Sequence, residues 1–310
     1  MNDDFYLQVL IPTYNRAKRL EKNIRLISKQ IIEFDLQNKI GIIVSDNCSN
    51  DDNWTRLKVL QNEYNEIDLL IFKQDENIKL EPNALFVLEK ASAPFVMYTG
   101  DDDYIDSKYL PRLVEIIESD KNFTCAISGH IGVAPGEINR NVRMMPFEEH
   151  VFNASLKNTA YLSHFFSQMS ALVFKREGIY DAYMSDNSLR NIYPWIFFGI
   201  FNASRGNTYF LNKYKTKITD FETKDWDYDE LGLIEDIIKN FSILEKRNPI
   251  KRMYLEIYLC YYAMNRFEDA KSKGFSYFFK SVWKVKFMNV MTKFFIITFA
   301  YYKDLKIKYS

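Results

Sequence analysis

The chain has 310 residues, with 41 Lys+Arg against 41 Asp+Glu, so its formal charge is zero. That neutrality is uneven: residues 271–310 hold nine lysines and one acid, a net of +8, which leaves −8 on the first 270 residues. An acidic body excludes a uniformly basic nucleic-acid binder, and 47% hydrophobic with 26% charged residues excludes a disordered chain.

The first 120 residues alternate between strand and helix patterns. Tyr6 to Ile11 reads as a buried strand, after which Leu20, Ile24, Ile27 and Ile31 recur at helical spacing. Ile40 to Val44 is a second strand, and Asn50-Asp51-Asp52 marks a helix start, with acids near the positive end of the helix dipole. Leu69 to Phe72 is a third strand. Pro82 suits the first turn of a helix carrying Leu85, Leu88 and Ala91. Phe95 to Tyr98 is a fourth strand, followed by a helix with Leu110, Leu113, Val114 and Ile117 on one face. Strands alternating with helices predict an α/β fold with a mainly parallel sheet covered by helices on both faces.

The middle of the chain is less regular. Phe123 to Ser128 and Ser170 to Phe174 read as strands, Gly132 to His150 as a loop with an Arg143-Met144-Met145 patch, and Tyr193 to Ser204 as an apolar helix. From about Asp229 the pattern is helical to the end. The expected organisation is an α/β domain over 1–220, with a nucleotide half of about 1–105 and an acceptor half of about 106–220. A C-terminal helical region over 221–310 ends in the basic, aromatic tail.

The three cysteines, Cys48, Cys125 and Cys260, form no C-x-x-C, which disfavours a zinc ribbon or redox pair and suits a reducing cytoplasm. Met1-Asn2-Asp3-Asp4 lacks the basic and apolar regions of a signal peptide. The longest apolar run, Phe294 to Tyr302, falls well short of the ~20 residues needed to span a bilayer. A cytoplasmic protein is expected, either soluble or peripheral at the inner face of the cell membrane.

In an open parallel sheet, ligands bind beyond the carboxyl ends of the strands. Each of the first four strands runs into polar residues there: Pro12-Thr13-Tyr14-Asn15-Arg16, Ser45-Asp46-Asn47-Cys48-Ser49, Lys73-Gln74-Asp75-Glu76-Asn77, and Thr99-Gly100-Asp101-Asp102-Asp103. Three successive carboxylates repel one another, and a hard divalent cation, Mg²⁺ or Mn²⁺, relieves that repulsion and suits a phosphate-bearing ligand. The alternative for the triplet is a solvated acidic turn capping the next helix. The first strand is followed by neither G-x-G-x-x-G nor G-x-x-x-x-G-K-[ST], which disfavours a dinucleotide oxidoreductase and a P-loop phosphotransferase.

Three segments, Ile11-Pro12-Thr13-Tyr14-Asn15-Arg16, Ile43-Val44-Ser45-Asp46-Asn47-Cys48-Ser49 and Tyr98-Thr99-Gly100-Asp101-Asp102-Asp103, resemble in order the motifs of family 2 glycosyltransferases with the GT-A fold. The G-D-D-D form is similar to the abequosyltransferase-like branch, which builds bacterial surface polysaccharides. The resemblance covers about residues 5 to 220. It implies an inverting transfer of a sugar from a nucleotide-diphosphate donor, most simply a UDP-sugar, to a hydroxyl of a glycan or lipid-linked oligosaccharide.

The resemblance also implies roles. Pro12, Thr13, Tyr14 and Arg16 would border the base and ribose, with Asp46 and Asn47 holding the base and Lys79 near the donor. Asp101 would hold the ribose or sugar, and Asp103 with Asp102 would bind Mn²⁺ or Mg²⁺ at the diphosphate. Where many members carry an E-D pair for the catalytic base, this chain reads Asn191-Ile192-Tyr193-Pro194-Trp195. Asp186 is the nearest substitute, and Asp181, Glu148, Glu149 and Asp227 stay open. Trp195 and Trp226 are candidates to stack on an acceptor sugar, while His130, His150 and His164 share no metal-ligand spacing.

Two rival readings are a non-catalytic sugar-nucleotide binding module and a nucleotidyltransferase. The second would want a glycine-rich, lysine-containing turn after the first strand. In the tail, Phe275, Phe278, Phe279, Trp283 and Phe287 interleave with Lys280, Lys284 and Lys286. That pattern predicts either a helical cap or a contact with an anionic membrane surface through 271–310.

Overall fold

The structure is a computed structural model that describes residues 5–133, 140–186, 190–219, 230–262 and 268–309. In chain order the elements are β1 (Leu7–Thr13), α1 (Ala17–Glu33), β2 (Ile40–Asp46), α2 (Asn53–Glu63), β3 (Leu69–Lys73), α3 (Leu80–Lys90), β4 (Phe95–Tyr98), α4 (Tyr109–Ser119), β5 (Phe123–Val133), β6 (Arg140–Arg143) and β7 (Glu149–Phe152). There follow α5 (Leu156–Leu162), β8 (Leu172–Lys175), α6 (Ile179–Met184), α7 (Pro194–Ala203), β9 (Asn207–Thr219), α8 (Glu230–Leu244), α9 (Pro249–Tyr262), α10 (Glu268–Ser272), α11 (Phe275–Lys284) and α12 (Val290–Tyr309). Two compact units divide the chain: Met1–Ala154 with Gln168–Tyr180 and Arg205–Thr223, and Ser155–Ser167 with Asp181–Ser204 and Lys224–Ser310.

The first unit is built on one mixed sheet of order β3-β2-β1-β4-β8-β5-β9-β7, with β6 beside β5. β1 and β2 are buried at every residue, which is why they read as near-continuous apolar runs, interrupted in β1 by the buried Gln8, rather than as alternating ones. Their neighbours β3 and β4 run parallel to them, as the alternating pattern predicts. On one face Val9, Ile11, Ile42 and Val44 join a core with Leu20, Ile24 and Ile27 of α1, Leu57 of α2 and Leu113 of α4. On the other face α3 packs, and the buried Tyr98 hydroxyl donates to Ala84 O at 2.8 Å. Each fully buried aliphatic side chain here contributes about 1.5–3 kcal/mol.

Register decides what meets at the sheet's edge. Thr13 stands opposite Asp46, Asp46 opposite Lys73, and Leu10 opposite Tyr98. The residues after Tyr98 are therefore level with the end of β1. β8 runs antiparallel to β4 with Tyr98 opposite Leu172, so the residues preceding β8 reach that same edge.

The second half of the sheet departs from the sequence pattern. β8 is antiparallel to both β4 and β5, and the stretch read as a loop over Gly132–His150 contains β6 and the start of β7. The longest strand, β9, pairs parallel with β5 and antiparallel with β7. Its buried positions include Thr208, Asn212 and Thr216, so burial there is not announced by aliphatic residues.

The second unit is helical over its described residues. Its core includes the ring of Phe166, which lies so close to α7 that a Cβ at Gly199 would sit 2.3 Å from it. The fully buried carboxylate of Glu256 on α9 accepts from Arg252 Nε at 2.7 Å, Asn289 N at 2.8 Å and Thr292 Oγ1 at 2.9 Å. It thereby ties α9 to the start of α12.

Candidate active site

The end of β2 forms one wall of the site. Asp46 is fully buried, and its Oδ1 accepts from Ser49 N at 3.2 Å and Asn53 Nδ2 at 3.0 Å. Its Oδ2 is also buried and has no hydrogen-bond partner among the described residues. A buried, unpaired acceptor is costly and calls for a donor from outside the chain. The adjacent Asn47 side chain donates to Asn77 Oδ1 at 3.0 Å and accepts from Ile78 N at 2.9 Å. Asn77 Oδ1 accepts in turn from Lys79 N at 2.9 Å, which fixes the exposed Lys79 at the start of α3 in a left-handed backbone conformation, φ 73°.

The loop after β1 is laced to the loop after β2. Asn15 N donates to Ser49 Oγ and Asn50 N to Asn15 Oδ1, both at 2.8 Å, and Asn15 itself is left-handed at φ 53°. Pro12 and Thr13 are buried, whereas Tyr14 is exposed and Arg16 half-buried at the mouth of α1. Thr13 Oγ1 donates to Asp101 Oδ2 at 2.7 Å and so joins β1 to the acidic triplet.

The triplet is held from below. Gly100 N donates to Ser170 Oγ at 2.9 Å, and the same hydroxyl donates to Asp103 Oδ2. Gly100 O accepts from the buried Asn23 Nδ2 of α1 at 2.7 Å. A Cβ at position 100 would lie 3.0 Å from Asp103 Oδ2 and 3.2 Å from Ser170 Oγ, so glycine leaves room for Asp103 to fold back over the backbone. Asp102 pairs with Arg19 at 3.4 Å. Burial, followed by the charge of Asp102, pushes the Asp101 carboxyl up to about 7, against the pull of the Thr13 hydrogen bond and Arg16. The Tyr104 hydroxyl is raised by burial and by the same carboxylates, Asp102 first.

Beneath Ser170 lies a buried cation that the sequence reading had placed in a loop. Arg143 donates from Nε to Ser128 O at 2.9 Å, from Nη1 to Gln168 O at 3.2 Å and from Nη2 to Ser170 O at 2.9 Å, and Nη2 also meets His130 Nε2. Burial lowers the Arg143 guanidinium to about 9 and, with Arg143 beside it, keeps the His130 imidazole neutral, well below its usual range. His130 Nδ1 meets Gln168 Oε1 at 2.7 Å, so the ring packs as a structural element. His150 packs between Phe147 and Phe152, tilted against the first ring and edge-on to the second. Ser170, Arg143 and Asn23 are the residues that the sequence reading missed. Only Asn23 carried a signal: an amide on the apolar stripe of α1, between Leu20 and Ile24.

The site thus brings together Pro12, Thr13, Arg16, Asp46, Asn47, Asp101, Asp102 and Asp103. Among the described residues no three His, Cys, Asp or Glu side chains converge into a ready-made metal cage. A pair of carboxylates with excess local negative charge nevertheless fits Mg²⁺ or Mn²⁺, which take one or two carboxylates and complete their shell with substrate phosphate and water. Of the other nominated residues, Asp186 and Trp195 belong to the helical unit and Glu148 and Glu149 to the sheet unit. Asp186 pairs with Lys246 at 3.1 Å, and Trp195 is buried with its indole N–H 3.4 Å from Ser167 O. Glu149 pairs with Arg112 at 2.8 Å, and Glu148 with Lys213 at 3.9 Å. Trp226 and Asp227 lie outside the described residues.

A mainly parallel first half of the sheet, an antiparallel second half and helices on both faces make up an α/β fold of the GT-A class. Solved structures agree on that fold. S. aureus TarS 1-349 in complex with UDP-GlcNAc superposes with a TM-score of 0.64 at 18% identity, covering 90% of this chain and 80% of that one. The mannosyltransferase PcManGT from Pyrobaculum calidifontis in complex with GDP-Man and Mn²⁺ gives 0.53 at 12% identity, covering 87% and 76%.

The profile of Glycosyl transferase family 2 matches residues 8–181, more than half of the chain, and the chain belongs to that family. It is 28% identical over 215 residues to the abequosyltransferase RfbV of Salmonella typhimurium, covering 66% of this chain and 63% of that protein. It is 29% identical over 197 residues to the GalNAc(5)-diNAcBac-PP-undecaprenol beta-1,3-glucosyltransferase of Campylobacter jejuni, covering 56% and 61%. The matches thus span about three fifths of the length of these curated relatives.

Proposed function

We propose that this chain is an inverting, metal-dependent glycosyltransferase of bacterial surface polysaccharide synthesis. It moves a sugar from a UDP-sugar to a hydroxyl of a glycan or lipid-linked oligosaccharide. The observation that carries this reading is Asp46, whose buried Oδ2 lacks a donor among the described residues at the same sheet edge as the acidic triplet. The imide N–H of a uracil-type base supplies such a donor. Thr13 and Arg16 border the nucleoside, Lys79 faces the donor from the start of α3, and Asp101 takes a hydroxyl of the ribose or sugar. Asp103 and Asp102 hold Mn²⁺ or Mg²⁺, which when bound stabilises negative charge on the departing diphosphate.

Ser170 fixes Asp103 so that its second oxygen keeps one direction, and preorganisation of this kind is what a charge-developing step requires. The acceptor hydroxyl loses its proton to a carboxylate, for which Asp186 is the proposed base; such a group contributes typically ~10²–10⁴-fold in rate. A second reading, a module that binds the nucleotide sugar without transferring it, draws on Asn191. Its amide is spent on Asn240 at 3.1 Å and on Tyr193 N at 2.8 Å, where many members carry an acid.

Calorimetric titration of the chain with UDP, with and without Mn²⁺, tests the assignment. Asp46→Asn places an amide N–H against the imide and weakens UDP about 10- to 100-fold, since a hydrogen bond to a charged group contributes about 1.5–3 kcal/mol. Asp103→Ala removes the Mn²⁺ dependence. Wild-type affinity and wild-type Mn²⁺ dependence in both variants refute the site, and UDP-sugar binding without hydrolysis or transfer favours the second reading.

A further inference from the structure

Helices α11 and α12 each carry two apolar faces. Phe278 and Val282 of α11 and Ile296, Ile297 and Ala300 of α12 are buried. Yet Phe275, Phe279 and Trp283 stand 57%, 38% and 41% exposed, with Phe294 at 50% and Tyr301 at 57%. An ordinary surface helix buries one apolar stripe and shows a polar one.

The exposed rings form one connected ribbon. Phe275, Phe279 and Trp283 follow one another at i, i+4 and i+8, with centroids 6.3 Å and 5.5 Å apart and the second pair stacked at 7°. Trp283 near the end of α11 meets Phe294 near the start of α12 at 5.5 Å, and Phe275 at the start of α11 meets Tyr301 toward the end of α12 at 5.9 Å. The two helices therefore run antiparallel with their outer stripes side by side. The eight steps from Phe275 to Trp283 extend the ribbon about 12 Å along the helix axis.

Within the segment that carries this ribbon the side-chain charge is of one sign, and the nearby acid Glu235 of α8 is engaged by Lys286 N at 3.1 Å. Lys280, Lys284 and Lys286 are exposed beside it, and Lys293 Nζ donates to Trp283 O at 2.8 Å and lies 5.7 Å from the ring centroid. Residues 275–302 contain no Asp or Glu. A second copy of the chain would set these lysines against their own kind. An anionic lipid surface matches both features, because rings settle at headgroup depth and lysines reach phosphate. None of the described helices is long and apolar enough to cross a membrane.

We propose that the α11–α12 aromatic ribbon docks flat on an anionic lipid bilayer. The test uses the full chain and vesicles of phosphatidylcholine with an equal part of phosphatidylglycerol, against phosphatidylcholine alone. The wild type pellets with the anionic vesicles and is released by salt. Lys280→Glu with Lys284→Glu and Lys286→Glu weakens partitioning at least about a hundredfold, from the contribution of each lysine at such a surface. Phe279→Ser with Trp283→Ser weakens it about tenfold or more. Both variants are checked by circular dichroism and UDP titration, which stay unchanged. Brominated phosphatidylglycerol quenches the wild-type tryptophan fluorescence, a readout that needs no variant.

Equal pelleting of wild type and variants overturns the proposal, as does absence of quenching in the pelleted chain. A wild-type dimer that Phe279→Ser with Trp283→Ser dissolves, with no vesicle binding, overturns it in favour of self-association.

Discussion

Asp101→Asn isolates the electrostatic strain in the candidate site. The Asp101 carboxyl sits at about 7 against an ordinary 3.8, chiefly through burial and then Asp102. The folded state thus binds this proton more tightly than the unfolded state. The associated stability is fully present below about pH 4 and is lost as pH rises through about 7. A gap of about three pH units sets a ceiling of about 4 kcal/mol, which partial exposure and screening reduce to about 1–2 kcal/mol. Asparagine keeps an oxygen for the Thr13 hydroxyl and carries no charge, so the variant escapes the decline. Urea unfolding in chelator at pH 5 and pH 8 measures this, and the variant gains about 1–2 kcal/mol on the wild type over that interval. Mn²⁺ at pH 8 returns part of the difference to the wild type, because a cation on Asp102 and Asp103 removes the repulsion. Parallel stability curves for the two proteins from pH 5 to pH 8 would show that Asp101 is solvated and unstrained.

Ser170→Ala removes the hydroxyl between Gly100 N and Asp103 Oδ2 and lowers Mn²⁺-dependent UDP affinity about tenfold, with little change in metal-free affinity, as titration at several Mn²⁺ concentrations will register. His164, which burial lowers to about 4, is neutral in the folded helical unit. Its contribution is present above the unfolded value of about 6.5 and is lost as pH falls toward 4, at most about 3 kcal/mol, and His164→Gln flattens that acid limb in pH-dependent urea unfolding.

The first half of the sheet was legible because a strand buried on both faces leaves a near-continuous apolar run, and β1, β2 and β4 each have one. The amphipathic stripe of α1 was equally plain. The second half was opaque for two reasons. β9 buries Thr208, Asn212 and Thr216, residues that do not advertise burial. The antiparallel course of β8 depends on pairing with β4 and β5, which no local pattern encodes.

Within the site, the same limit separates acids from their supports. Thr13 and Asp46 end apolar strands and Asp101 follows one, so the carboxyl-edge rule finds them without any pairing information. Ser170 reaches that edge only because Tyr98 stands opposite Leu172 in an antiparallel ladder, 70 residues from Gly100 in sequence. Arg143 is harder still: from sequence it belongs with Met144 and Met145 in a loop, yet it is buried, and its donors meet carbonyls and His130. The groups that carry charge to a ligand are therefore written locally. The groups that fix their direction are written in the register between distant strands, and it is there that Asp103 acquires a single orientation.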